Sequence, residues 1–184
     1  MSEETYCRKI AKLICDVAKN EDDVLRDHSN KGIMNCPELA FVYSVAKELS
    51  RKSHHIFDQN IDWFTEYSEN GTDIQKIDLY IKTSPQNSTK VNIAIEFKLG
   101  YEVFGWKKDV DKLLKIQNDN TLCMFCLIKP YKQVAKMPKE QSIECFEEGS
   151  QKKHLTRIGN FDSFRTLIDD KEKDCIIGIW KVHK

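Results

Sequence analysis

Val91-Asn92-Ile93-Ala94-Ile95-Glu96-Phe97-Lys98, read with Lys76-Ile77-Asp78-Leu79-Tyr80-Ile81-Lys82 just upstream, decides how this chain is understood. Both stretches alternate as strands do, and successive strand side chains point to opposite faces, so Glu96 and Lys98 share a face. In the upstream stretch Ile77, Leu79 and Ile81 fall on one side and Asp78 and Tyr80 on the other. A hairpin turning around Pro85-Gln86-Asn87-Ser88-Thr89 in symmetric register sets Ser84 against Lys90, Lys82 against Asn92, Tyr80 against Ala94 and Asp78 against Glu96. Directly opposed side chains have Cβ atoms about 4.5–5.5 Å apart, where two acids repel unless a cation lies between them. A hard divalent ion such as Mg²⁺ suits that position, because it takes carboxylate oxygens while keeping waters and phosphate oxygens in its shell. Lys98, beside Glu96, is placed to hold or help deprotonate one of those waters. The same trio also reads as a plain structural ion pair.

Working outward, the apolar stripe Leu39, Val42, Tyr43, Ala46 and Leu49 predicts a helix, with Asn35 as its cap and Pro37 in its first turn. Glu38 sits in that first turn, where an acid is favourable by about 0.3–1 kcal/mol through the helix dipole alone. Ile61 to Tyr67 predicts a strand preceding Asp78. Asp73, in Gly71-Thr72-Asp73, competes with Asp78 for an ion but lacks a strand register. After Lys98, Trp106 to Gln117 predicts a helix carrying Lys108, Lys112 and Lys115 in a row able to meet phosphates, with Asp109 and Asp111 neutralising much of it. Thr121 to Ile128 predicts a buried strand.

An acid, then a strand-borne Glu-x-Lys, resembles the PD-(D/E)XK nuclease superfamily. The residues carrying the resemblance are Asp78 and Glu96-Phe97-Lys98, with Glu38 in Cys36-Pro37-Glu38-Leu39-Ala40-Phe41 as the counterpart of an inward helix glutamate. The likeness spans about residues 36–130, and Ile77 stands where the family name has proline. It implies a restriction-endonuclease-like α/β fold, a central mixed β-sheet of about five strands flanked by helices. It also implies a metal-dependent endonuclease acting on DNA, with Mg²⁺ or Mn²⁺ held by Asp78, Glu96, the Phe97 backbone carbonyl and Glu38. Catalysis would fall to Asp78, Glu96 and Lys98. An RNase and a noncatalytic module binding nucleic acid or protein remain alternatives. Target choice would then come from a homodimer or a partner protein.

The remaining sequence sets bounds. A chain of 184 residues is enough for one domain with a real core. Lys+Arg balances Asp+Glu at 29 each, so no strong nonspecific grip on nucleic acid is written into the net charge. No apolar run reaches membrane-spanning length and the first residues lack a secretory signal pattern, so no membrane partner and a cytoplasmic protein are expected. Seven cysteines, an odd number scattered through the pattern, suggest reduced thiols. Cys123-Met-Phe-Cys126 has the spacing of a zinc or redox pair but lies in an apolar strand. His54 and His55 are adjacent, point apart and read as surface residues. Residues 3–19 predict an amphipathic helix, Glu21 to Lys31 a loop, Phe161 to Ile168 a helix and Cys175 to Trp180 a closing strand. Residues 131–157 are charged and without clear periodicity, reading as an insertion, a substrate-binding excursion or a dimer arm.

Overall fold

Alternation and helical periodicity sort this chain onto the two sides of one mixed sheet. The computed structural model describes residues 2–68, 76–83, 91–100, 106–116, 120–130, 154–159 and 162–183. Helices α1 (Glu3–Ser29), α2 (Glu38–Arg51) and α3 (Ser53–Phe57) precede strands β1 (Ile61–Tyr67), β2 (Ile77–Thr83) and β3 (Asn92–Leu99). Helix α4 (Trp106–Leu114) then leads to β4 (Thr121–Pro130), β5 (Leu155–Arg157), β6 (Asp162–Ile168) and β7 (Lys171–Val182). The described strands form a seven-stranded sheet in the order β1-β2-β3-β4-β7-β5, with β6 also on β7, where about five had been expected. Among the described strands only β3 and β4 run parallel, as the crossover through α4 requires; the other described pairs are antiparallel.

The helices α1, α2 and α3 cover one sheet face, packing Ile10, Ile14, Phe41, Val45 and Leu49 on Leu79, Ile81, Ile93, Ile95 and Phe97. On the other face α4 packs Val110 and Leu113 on Ala94, Phe125, Leu127 and Trp180. Cys123 and Cys126 lie on opposite faces, in the two different clusters, so they form no joint ligand pair. None of the six described cysteines is in a disulfide, and His54 and His55 are exposed. No helix among the described residues is long and apolar enough to cross a membrane.

In α2 the cap position is held by Pro37 and not Asn35, and Leu39 and Tyr43 of the predicted stripe are exposed; three other local expectations fail for identifiable reasons. Helix α1 does not stop at residue 19 but runs to Ser29, because Asp22 turns inward and is almost fully buried. Its Oδ1 accepts the Ile33 N–H at 2.7 Å and the Thr166 hydroxyl, tying α1 to the 3-10 turn Ile33–Asn35 and to β6. Gly32 is required there, since an added Cβ would lie 2.0 Å from Thr166 Oγ1 and 2.5 Å from the Leu167 carbonyl oxygen. The segment expected as a helix at 161–168 is strand β6, in which Thr166 and Ile168 are buried while Ser163 and Arg165 are exposed. Asp169 and Asp170 follow with φ of 50° and 57°, the pair of left-handed residues that a tight hairpin turn into β7 demands. Third, Ile77 belongs to the α4-side core and not with Leu79 and Ile81. Opposite this end of β2, Glu66 adopts φ 49°, which interrupts alternation and turns Tyr67 to the α4 side as well. Residues 131–153 of segment 131–157 lie outside the described residues; its last residues contribute β5. Asp73, the turn at 85–89 and the Ser84–Lys90 pairing also lie outside them.

Candidate active site

Register places the first two acids. β2 and β3 pair Lys82 with Asn92, Tyr80 with Ala94, and Leu79 with Ile95, as symmetric alternation predicts. The next pair would be Asp78 and Glu96, but the ladder ends at Leu79, and the two strands part there. Residues 93, 95, 97 and 99 of β3 turn their backbone N–H groups toward β2, so parting leaves those of Phe97 and Leu99 without a strand partner. Two acids take them over: Phe97 N–H donates to Asp78 Oδ2 at 2.8 Å, and Leu99 N–H donates to Glu38 Oε2 at 2.9 Å. An unpaired buried N–H costs about 1–3 kcal/mol, so both acids are fixed by the backbone they satisfy. Because a strand residue's N–H and C=O point to the same lateral side, the Phe97 carbonyl faces the same opening. The Phe97 ring lies on the opposite face, edge-on to Phe41 at 5.7 Å, and anchors the strand in the helical core.

Glu96 lies on the α4 side, fully buried. Its Oε2 accepts from Lys112 Nζ at 2.7 Å, while Oε1 has no hydrogen-bond partner among the described residues. Burial, and then the charge of Asp78, push its pKa up to about 9, which the Lys112 ammonium opposes only in part. Asp78 is also raised by burial, despite the Phe97 N–H and a hydrogen bond with the Glu96 carboxyl. Both acids are thus held above the usual carboxylate range, by burial first and, for Glu96, by the charge of Asp78 next. Burial likewise raises Glu38, with Leu99 N–H and Lys98 pulling the other way.

The two lysines of the site differ. Lys112 Nζ donates to Glu96 Oε2, reaches Asp109 Oδ1 at 3.2 Å and donates to the Lys76 carbonyl at 3.2 Å, so its three N–H groups are committed. Burial works against this ammonium, but the bond to Glu96 and the Glu96 charge, followed by the charges of Asp109 and Asp78, outweigh burial and lift its pKa. Lys98, on the same face, stands 3.5 Å from Asp109 Oδ2, an ion pair too long for a strong hydrogen bond. It is the less committed of the two cations.

The predicted residues Asp78, Glu96, Lys98, Glu38 and the Phe97 backbone therefore gather at one parting of strands. The predicted lysine row does not hold together: Lys108 and Lys115 are exposed, and Lys112 turns inward to Glu96. Asp109, read from sequence as a neutraliser of a solvated face, is buried between Lys98 and Lys112. Its i, i+3 spacing to Lys112 was a visible signal, though not of which face would be inward.

No group of three or more His, Cys, Asp and Glu side chains among the described residues forms a cluster able to hold a metal. What is present is smaller: two acids whose pKa burial raises, one Glu96 oxygen with no hydrogen-bond partner among the described residues, and a backbone carbonyl. That donor set suits a hard divalent ion that keeps most of its waters. A groove of about 880 Å³ lies between α1 and α2 and shares no lining residue with this site. No protein-family model matches this chain, and no curated protein matches it.

Proposed function

We propose that this chain is a metal-dependent nuclease with a restriction-endonuclease-like fold, hydrolysing DNA phosphodiesters internally. The observation that carries the reading is the parting of β2 and β3 at Asp78 and Glu96, with Lys98 on the face of Glu96. A helix acid, a strand acid, a Glu-x-Lys strand, a crossover helix and a parallel strand follow in the order of the PD-(D/E)XK superfamily, which the motif resembles.

Asp78, Glu96 and the Phe97 carbonyl would hold Mg²⁺ or Mn²⁺, which supplies polarisation of a phosphoryl oxygen and acidification of a water. Lys98 orients the attacking water and offsets charge that builds on the phosphate in the transition state. Lys112 holds Glu96 in place through Oε2 and leaves Oε1 for the cation. Glu38 fixes the end of β3 through Leu99 and adds negative potential beside the cation.

Purified protein incubated with plasmid, linear single strands and RNA, with and without Mg²⁺ or Mn²⁺, tests this directly. Metal-dependent nicking of plasmid is expected, abolished by Lys98→Ala with metal binding largely retained, whereas Asp78→Ala loses both. Cleavage of RNA alone would assign the chain to the RNases. Wild-type cleavage by Lys98→Ala would reduce that lysine to a structural cation.

A further inference from the structure

Helix α4 buries one of its two acids. Asp109 sits in the first turn, is only 8% exposed, and shares the inward face of the helix with Lys112 through their i, i+3 spacing. Its two oxygens serve different lysines: Oδ1 lies 3.2 Å from Lys112 Nζ, and Oδ2 lies 3.5 Å from Lys98 Nζ. Oδ2 is buried and accepts no hydrogen bond among the described residues, so the nearby Lys98 ammonium is what offsets its charge. A buried carboxylate oxygen without such a partner would be costly. Lys98 belongs to β3 and Asp109 to the crossover helix, so α4 sets where the head of this lysine lies. Lys98, Asp109, Lys112 and Glu96 thus form a row in which cations and acids alternate, and Asp109 reaches Glu96 through Lys112.

We propose that Asp109 is a positioning residue that holds the Lys98 ammonium beside Glu96 and spaces it from Lys112, ready for a phosphate and its attacking water. This rests on the nuclease reading and adds to the site a residue from outside the motif. The contrast between the two lysines carries it. Lys112 commits its three N–H groups to Glu96, Asp109 and the Lys76 carbonyl, which makes it a fixed strut. Lys98 is held by charge at 3.5 Å, beyond a strong hydrogen bond, so its N–H groups stay available to water and phosphate oxygens. The Lys98 side chain is 28% exposed on a flexible four-carbon stem, with many rotamers open to it unless its head is tethered. Without the Asp109 charge, two ammonium groups would face each other with no anion between them, and Lys98, the less committed, would turn to water.

Competitive acylation of the metal-free protein, read lysine by lysine from its peptides by mass spectrometry, tests the tether. In wild type Lys98 should react several-fold more slowly than the exposed Lys108 and Lys115. Asp109→Asn, which keeps the shape and loses the charge, should bring Lys98 toward their rate, while Asp109→Glu should keep it slow. A melting curve on each variant reports folding, and if Asp109→Asn does not fold, the wild-type order and Asp109→Glu decide. Lys98 labelled as fast as Lys108 in wild type, or at an unchanged rate in folded Asp109→Asn, overturns the tether. In plasmid nicking with Mg²⁺, Asp109→Asn should lower kcat about 10–100-fold with KM and Mg²⁺ binding little changed, and Asp109→Glu should restore most of it. A merely structural ion pair would lower the melting temperature and leave kcat as in wild type, which overturns the positioning role. Asp109-dependent labelling in a protein that cleaves nothing keeps the tether and sinks the nuclease, whereas cleavage that Asp109→Asn leaves untouched does the reverse.

Discussion

Replacing Lys112 with methionine removes one charge from the site while keeping most of the apolar stem. The loss is threefold: Glu96 Oε2 loses its 2.7 Å donor, Asp109 Oδ1 its 3.2 Å partner and the Lys76 carbonyl a hydrogen bond. If Glu96 were ionised, stripping the partner from a buried charge would cost about 3–5 kcal/mol. Its carboxyl, however, keeps its proton up to about pH 9. For Glu96 the relevant cost is therefore that of an unsatisfied neutral group, about 1–3 kcal/mol, and this sets the scale of the loss because Asp109 keeps Lys98 as a partner. At about 2–4 °C per kcal/mol for a chain of this size, the melting temperature should drop by roughly 2–12 °C at neutral pH. Thermal unfolding of Lys112→Met, Glu96→Gln and the double variant, all in chelator, measures both the loss and its origin. The double variant should lose less than the sum of the singles, because they share one interaction. Strict additivity, or a Lys112→Met melting point equal to wild type, would refute the assignment of Lys112 as the partner that holds Glu96.

Two further outcomes follow from the same geometry. Glu38→Gln keeps an oxygen for the Leu99 N–H but loses the charge, so the melting temperature should hardly move while Mg²⁺ affinity and cleavage fall about 10–100-fold; unchanged activity would remove Glu38 from the site. The metal-free protein should lose stability as pH rises from about 4.5 toward about 9, because the folded state retains a Glu96 proton that the unfolded chain releases. Melting curves between those limits should flatten in Glu96→Gln, and an equally steep slope in that variant would place the titration elsewhere.

Much of this site was legible because it depends on period two. The pairing of Lys82 with Asn92 and Tyr80 with Ala94 follows from alternation on both sides of a short turn, and it carries Asp78 toward Glu96. Where the backbone leaves that period, the reading fails. The left-handed Glu66 turns Tyr67 to the α4 side, where Ile77 opposite it also lies, so the Tyr67–Tyr80 stack has no signature in simple alternation. Lys112 shows the complementary difficulty on a helix, where spacing gives neighbours but only tertiary packing selects the inward face. Strand β6 escapes the pattern because a short apolar run suits either period, and the Asp169-Asp170 turn is the signal that separates strand from helix. The second half of α1 reads as polar loop because its one inward group is a carboxylate.

That carboxylate also bears on the order in which the chain can fold. Asp22 accepts from Thr166, 144 positions later, and the tight approach at Gly32 needs the backbone of Leu167 beside it. Ribosomal synthesis delivers α1 long before β6 exists, so a nascent α1 carries an acid whose buried partners have not yet been made. Its second half then has no reason to leave water until the β6–β7 hairpin arrives. Sheet closure and completion of α1 become one late event across most of the chain, the kind of long-range contact that slows folding. The neighbouring acids at the parted strands are held by residues 97 and 99 and need not wait for it.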